Sequence, residues 1–342
     1  MTQKRTLLVV GALSENPAVY TYASSFIASF ERLGFKVASF NYRKKRLPLP
    51  IHTMTKKIHE AAIRRALSAQ VAKPDIIFCI KTEIMTSELV HSLKKNGARL
   101  FLFYPDSPFA LWNGNSCTNV VESLHGFDHV LIWSHELIPA LYSAGCSAVH
   151  YFPFAYDAQL FAHTLELTDA DFVRYTSDVC FVGTWEPERE QWLTAIVDRL
   201  PHLNLAIWGN EWNHKIAAGH PLFKALRGKA IYKDEMRKAF MCSKINLNFM
   251  RKQNIQAHNM RTFEVPAAGA FLLSQRTHEQ AYMLFEEGTS IACFATFDEL
   301  IQKIEWFLLH EQERLFILQQ AFLRVQYFTL DAQLAKLETL RF

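Results

Sequence analysis

Short, almost unbroken apolar runs of strand length recur along this chain, separated by longer amphipathic stretches, and that rhythm constrains the fold more than any other feature. A strand exposed on one face alternates apolar and polar residues, but TLLVVGAL, DIIFCI and ARLFLFY do not. Continuous hydrophobicity over so few residues is the mark of strands covered on both faces, as in a parallel sheet. Parallel neighbours require a crossover, and the intervening stretches are long enough to form helices. TLLVVGAL leads into a helical stretch from about Val19 to Leu33, stopped at Gly34, and FKVASF follows as a second strand. The same rhythm predicts a helix near Ile58 to Gln70, the strand DIIFCI, a helix ending near Asn96 and Gly97, and the strands ARLFLFY and DHVLIW. The helix SHELIPALYSAG and the strand SAVHYF complete this half.

From about Phe154 to Thr176 the pattern weakens, and the segment reads as a connector. A second series then opens with SDVCFVG, a helix around Glu190 to Leu200, and the strand LNLAIWG. It continues with KINLNF, a helix from near Asn259, AFLLS and TSIACF. From Phe297 onward the chain is helical, with Leu300, Ile304, Phe307 and Leu308 at helical spacing. At 342 residues the chain exceeds one ordinary core. The expectation is therefore an α/β protein of two Rossmann-like domains with parallel sheets, residues 1–160 and residues 174–320, with a C-terminal helix over 321–342 that packs back on the first domain.

The balance of 37 Lys plus Arg against 33 Asp plus Glu gives a net charge of +4, too small to mark a nucleic-acid or membrane partner. No nucleic acid and at most peripheral membrane contact are expected. The run RKKR from Arg43 to Arg46 reads either as a solvated loop or as a weak anchor to an anionic surface. Six cysteines are scattered singly with no CxxC pair, and the 14 histidines show no HExxH pattern, so neither a disulfide framework nor a metal site is expected. MTQKRTLLVVGALSENP reads as a first strand and a turn, not as a signal peptide, and no apolar run approaches the ~20 residues of a membrane span. A cytoplasmic protein follows as an expectation.

In open parallel sheets, ligands bind where the strands end at their carboxyl edge. The segment NMRTFEVPAAGAFLLS, 259–274, places Arg261 in the first turn of a helix and Glu264 one turn on, so both share one face. A helix start beside an arginine suits a diphosphate. The plainer alternative is an exposed ion pair between positions i and i+3.

KINLNF, then Asn259, Arg261, Phe263-Glu264, the run AGAFLL (268–273), FEEG, and the EL of FDELIQKIEWFLLH resemble the donor domain of CgeB-like glycosyltransferases. These are similar to the retaining group-1 transferases of the two-domain GT-B type. DVCFVGTWEPERE (178–190) resembles the opening strand and glycine turn of that domain. FYPDSP (103–108) and the stretch from DHVLIW to YFPFAYDAQLF resemble the acceptor domain. The likeness spans roughly residues 100 to 330 and is strongest between 244 and 310.

The resemblance implies two facing Rossmann-like domains that close on a nucleoside-diphosphate sugar of UDP or GDP type and an unknown glycan, protein or small-molecule acceptor. It implies no cofactor and no catalytic metal. Glu264 falls at the glutamate that holds the donor ribose, and Gly183 at the turn that brings backbone N–H groups to the diphosphate. Arg189, Arg251 and Arg261 are the candidates to neutralise that diphosphate, with Arg261 also assigned a catalytic role and Asn259 placed at the helix start. Tyr232, in KAIYKDE, falls where the base is held, or is a half-buried core tyrosine. Gln256 stands where many group-1 transferases carry a sugar-contacting glutamate. Either the local alignment differs, sugar recognition is altered, or the protein binds without turnover.

On the acceptor side Asp106, flanked by Pro105 and Pro108, is placed to orient a hydroxyl or act as a general base, unless it is a plain turn former. Gly11 and Ser14, after the first strand, are assigned to the same cleft. Two other readings stand beside transfer: a non-catalytic nucleotide- or glycan-binding protein, and a nucleotide-sugar epimerase.

Overall fold

The computed structural model of the chain describes residues 5–14, 21–43, 61–62, 64–67, 74–95, 97–111, 115–254 and 256–340. The chain forms two compact units, Met1–Phe154 with Leu330–Phe342, and Ala155–Thr329.

The first unit is built on β1 (Thr6–Gly11), β2 (Lys36–Asn41), β3 (Ile76–Ile80), β4 (Arg99–Tyr104), β5 (His129–Ile132) and β6 (Val149–Tyr151). They form one sheet in the order β2-β1-β3-β4-β5-β6, and every pairing is parallel. All five residues of β3 are buried, as continuous apolar strands between two helical layers should be. Those layers are α1 (Tyr22–Arg32), α2 (Ser87–Lys94), α3 (Thr118–Ser123) and α4 (Leu137–Ser143).

Helix α1 starts at Thr21, where Thr21 and Ser24 cap each other reciprocally, and gives way at Gly34, whose φ of 91° suits glycine. Its buried Phe26 packs against Phe78 of β3 and Phe103 of β4, with ring centroids 5.3 and 5.5 Å apart. Each such buried phenylalanine contributes ~1.5–3 kcal/mol. The expected helix from Ile58 to Gln70 falls largely outside the described residues, as do 44–46 of the basic run.

The second unit carries β7 (Ser177–Val182), β8 (Leu205–Trp208), β9 (Leu226–Gly228), β10 (Ser243–Asn248), β11 (Leu272–Gln275) and β12 (Ala292–Phe294). Their order is β12-β11-β10-β7-β8-β9, again parallel throughout. Counted from β7, this is the 3-2-1-4-5-6 order of nucleotide-binding sheets, with the switch in chain direction between β7 and β10. The helices are α5 (Ala158–Ala162), α6 (Asp169–Tyr175), α7 (Pro187–Arg199), α8 (Trp212–Lys215), α9 (Lys233–Met241), α10 (Arg261–Ala267), α11 (Phe297–Leu309) and α12 (Glu311–Val325).

Two boundaries differ from those expected. The segment read as a connector holds α5 and α6, and α6 is nucleated by a capping box in which Thr168 and Asp171 bond each other's backbone N–H. Near the end of the chain, α12 runs on to Val325 and packs against α10, so the return to the first unit comes at Leu330 and not at 321. There α13 (Leu330–Ala335) lies against α1. Arg32 and Asp331 join them through an ion pair of 2.7 Å.

Candidate functional site

The carboxyl ends of β7 and β10 flank the switch point of the second sheet, and three of the arginines singled out from the sequence converge there. β7 ends at Val182, and the turn that follows is held to the end of β8 by backbone contact. Gly183 donates its N–H to the Trp208 carbonyl at 2.9 Å, and its own carbonyl accepts from Trp212 Nε1 at 2.8 Å. A Cβ on Gly209 would lie 1.9 Å from the Gly183 oxygen, so the two loops touch in a way only glycine permits at 209.

Beyond the turn, α7 begins with Pro187 at its first position. Arg189 folds back from this turn to donate to the Thr184 carbonyl at 2.8 Å, with its guanidinium 5.6 Å from the Phe181 ring centre. Its side chain is only 11% exposed, and its buried Nε has no hydrogen-bond acceptor among the described residues. Glu186 stands between Arg189 and Arg251, 3.7 Å from the Nε of the first and 2.6 Å from that of the second. Burial first, and then the like charges of Arg251 and Arg261 against the opposing pull of Glu186, lower the Arg189 pKa to about 10. It remains charged at neutral pH. Arg189 is thus held close enough to Arg251 and to Arg261 for their charges to oppose its own.

Arg261 completes the cluster. Its Nε donates to the carbonyl of Val182 at 3.1 Å, its Nη1 pairs with Glu264, and its guanidinium lies 5.6 Å from the Phe240 ring centre. The pair is not the exposed one that a plain helix would carry: the side chains are 24% and 10% exposed.

Several details expected from the sequence take a different form. The first turn of α10 offers no open N–H groups: Arg261 N–H bonds Asn259 Oδ1, that of Thr262 the Asn259 carbonyl, and those of Phe263 and Glu264 the Met260 carbonyl. Asn259 is a clip for the helix start, since its Nδ2 donates to Asn248 Oδ1 at 2.8 Å. Gly183 has its own N–H engaged in the sheet, so the glycine serves loop contact: a Cβ there would lie 2.7 Å from the Phe181 ring. Tyr232 is 50% exposed at the N-cap of α9 and is not a core residue; its carbonyl accepts from Met236 N–H, and its side chain makes no hydrogen bond or ring contact among the described residues.

Arg251 and Gln256 line a recess of about 500 Å³ at the carboxyl ends of β10, β11 and β12. The loop carrying Gln256 is fastened from beneath. Its carbonyl accepts from Glu279 N–H at 3.2 Å, and buried His258 meets the Glu279 carboxylate at 3.0 Å.

In the first unit Asp106, after β4, is ion-paired with Lys81, after β3, and both side chains are largely buried. Lys81 was missed by sequence reasoning, although a charged residue directly after a fully buried strand was the available signal. Its φ of 45° is left-handed and uncommon for a residue with a side chain, a form of strain that gathers at functional edges. Gly11 is explained by packing, since a Cβ there would lie 2.7 Å from that of Ala23 in α1. Leu13 is tied to Asn41 by bonds of 3.2 and 2.7 Å, which fixes the strand exit that leads to half-buried Ser14. Arg43, the described member of the basic run, is paired with Glu83 at 2.5 Å. Among the described residues no cluster of His, Cys, Asp or Glu is arranged to hold a metal, and no helix is long and apolar enough to cross a membrane.

Residues 189–339 match the family model described as glycosyl transferase-like. No curated protein matches the sequence. Among solved structures, the chain is similar to sucrose-phosphate synthase from Thermosynechococcus elongatus, at 12% identity over 99% of this chain and 98% of that one, with a TM-score of 0.69. It is equally similar to trehalose-6-phosphate synthase OtsA, at 14% identity over 98% and 99%, with a TM-score of 0.69. Anabaena HepE in complex with UDP-glucose aligns at 12% identity over 98% and 99%, with a TM-score of 0.67. The structural likeness fixes the fold as GT-B, and the stretch that matches the glycosyl transferase-like family model runs from α7 of the second unit almost to the end of the chain.

Proposed function

We propose that the protein transfers a sugar from a nucleoside-diphosphate sugar to an acceptor hydroxyl, as a CgeB-like transferase that works without a metal and with retention at the anomeric carbon. The observation that carries this reading is the set of Arg189, Arg251 and Arg261 at the switch point of a nucleotide-binding sheet, with the Arg189 Nε left without an acceptor. With Glu186 and Glu264 interleaved, the five groups sum to a single positive charge, and a diphosphate would relieve the repulsion among the arginines.

In this reading negative charge grows on the leaving diphosphate in the transition state. Arginines already fixed by Thr184, Val182 and Glu186 stabilise it without reorganising, which is where preorganised charge contributes most. Glu264 is oriented by Arg261 and presents a carboxylate for ribose hydroxyls. Asp106, steadied by Lys81, is the acceptor-side carboxylate. The neighbouring trehalose-6-phosphate synthase bound to UDP-2-fluoro glucose and HepE bound to UDP-glucose support a nucleotide sugar of UDP type as the donor.

A thermal-shift panel of UDP, GDP, dTDP and ADP, with and without magnesium, tests the reading. One nucleotide is expected to raise the melting temperature with the logarithm of its concentration over Kd, with no need of magnesium. No shift with any of the four, in a folded sample, would refute it. Gln256 favours one other reading, binding without turnover, because a neutral amide stands where a carboxylate would face the sugar. Release of the nucleoside diphosphate from a bound donor in the presence of an acceptor separates the two.

A further inference from the structure

Helix α12 is apolar on two opposite faces, where a helix on the surface of a domain needs only one. Ile317, Ala321 and Val325 are buried on the inner face, with Ile317 in the core of the second unit, and the helix packs on α10. On the outer face Leu315, Phe316, Phe322 and Leu323 are 42–60% exposed. A helix with apolar residues all round is ordinarily covered all round.

This outer face reads the same in both directions. Leu315 and Phe316 stand four and three residues before Gln319, and Phe322 and Leu323 stand three and four residues after it. Seven residues out on either side the face continues with Gln312 and Gln326, both exposed, and Gln326 keeps right-handed helical backbone. At 3.6 residues per turn these positions all fall within about 60° of Gln319. A two-fold interface requires a patch that is complementary to itself. Antiparallel pairing about Gln319 meets that requirement, because the leucine and phenylalanine before the axis fall on the phenylalanine and leucine after it. The charges favour the same direction. Helix α12 opens with Glu311 and Glu313 and ends with Arg324, so antiparallel copies bring unlike ends together, whereas parallel copies would bring the glutamates together. A helix that lies on a membrane carries lysines and arginines along its polar face, but the cations of α12 are Arg324 and the buried Arg314.

About half of four side chains of ~200 Å² each is roughly 400 Å², and the three glutamines bring the face toward ~600 Å². Contiguous apolar surface of this extent marks an interaction site. Two copies together would bury on the order of 1,000 Å², the lower end of specific interfaces. We propose that the outer face of α12 is a two-fold dimer interface, on which a second copy of this chain docks antiparallel with Gln319 at the axis. The small area sets the affinity in the micromolar range, so the dimer forms and parts with concentration. Such pairing needs no nucleotide or sugar and is independent of the transferase reading.

Sedimentation velocity of the full chain across the micromolar range should show a monomer that gives way to a dimer as concentration rises. Leu323→Glu is expected to melt as wild type does, since the side chain is exposed, and to weaken dimerisation about a hundredfold, because a two-fold interface carries each substitution twice and would bury the new charges. Two cysteine variants test the register. Under mild oxidation Gln319→Cys should form a covalent dimer, because its two copies face each other across the axis. Gln312→Cys should not, because its two copies lie seven residues to either side of the axis, ~21 Å apart. Wild type, whose six cysteines are free and mostly buried, is oxidised alongside as the control. Should Leu323→Glu not fold, the two cysteine variants decide. A monomer at every concentration overturns the proposal, as does a dimer that Leu323→Glu leaves intact or one in which Gln312→Cys links as readily as Gln319→Cys. Flotation of the monomer with anionic vesicles, lost in Leu323→Glu, would give the face to a membrane and would overturn it too.

Discussion

Replacing Arg189 with methionine should move stability and affinity in opposite directions. The side chain is 11% exposed and its pKa is lowered to about 10, with burial as the main cause. Relative to an ordinary guanidinium, that corresponds to a cost on the order of 3 kcal/mol for carrying the charge in the folded state. The cost is present in full below about pH 10 and is relieved only above it, where the folded arginine has released a proton that the unfolded one still holds. Methionine keeps the contact with Phe181 and removes the charge. It also loses the bond to the Thr184 carbonyl, which contributes about 1–1.5 kcal/mol. The ligand-free variant at pH 7.5 should therefore be more stable by roughly 1–2 kcal/mol, a rise of a few degrees in Tm. Its affinity for a nucleoside diphosphate should fall, because a charge-assisted bond to phosphate contributes about 1.5–3 kcal/mol, or roughly tenfold to a hundredfold in Kd. Thermal melts of the free protein and calorimetric titration of UDP measure both. A lower Tm together with an unchanged Kd would show that Arg189 is a structural strut, and the argument from mutual repulsion would be wrong.

Arg261→Ala should reduce the rate of transfer ~10²–10³-fold with a much smaller change in Tm, as steady-state kinetics and melting together would show. Asp106→Asn should slow transfer while the Kd for UDP stays as in wild type; a weakened Kd would count against an acceptor-side role. Gly209→Ala should lower the denaturant midpoint at constant slope, by about 1–3 kcal/mol or more, because its Cβ would overlap the Gly183 oxygen. The Asp171 carboxyl, held down to about 2 by Lys238 and by the Thr168 N–H and hydroxyl, stabilises α6 in full above the ordinary carboxyl range and loses that contribution as pH falls toward 2. Asp171→Asn should flatten the fall of Tm between pH 4 and 2, and an unchanged acid profile would contradict it.

The strands that form the two sheets were legible because parallel strands between helical layers must be apolar on both faces, and DIIFCI and SDVCFVG can hardly be anything else. β9 escaped notice for the complementary reason. It is a three-residue edge strand, Leu226–Gly228, with Arg227 in its middle, and only its pairing with β8 defines it. Helix α6 carried a readable signal in Thr168 and Asp171, but polar caps stand out less than apolar runs. At the site, the residue types were legible and their uses were not. That Asn259 clips a helix, or that Gly209 rather than Gly183 is the glycine two loops cannot do without, depends on which backbones meet in space. Lys81 shows the same limit: its pairing with Asp106 joins residues 25 positions apart, on neighbouring strands whose adjacency is a property of the sheet.

The central claim is that the arginines after β7 and β10 grip a diphosphate. Calorimetric titration of the nucleoside diphosphate that binds, against its monophosphate and its nucleoside, measures this grip directly. The account predicts that the second phosphate tightens binding at least tenfold and that Arg189→Met and Arg261→Ala abolish most of that gain. Equal affinity for diphosphate and monophosphate in a folded protein would contradict it.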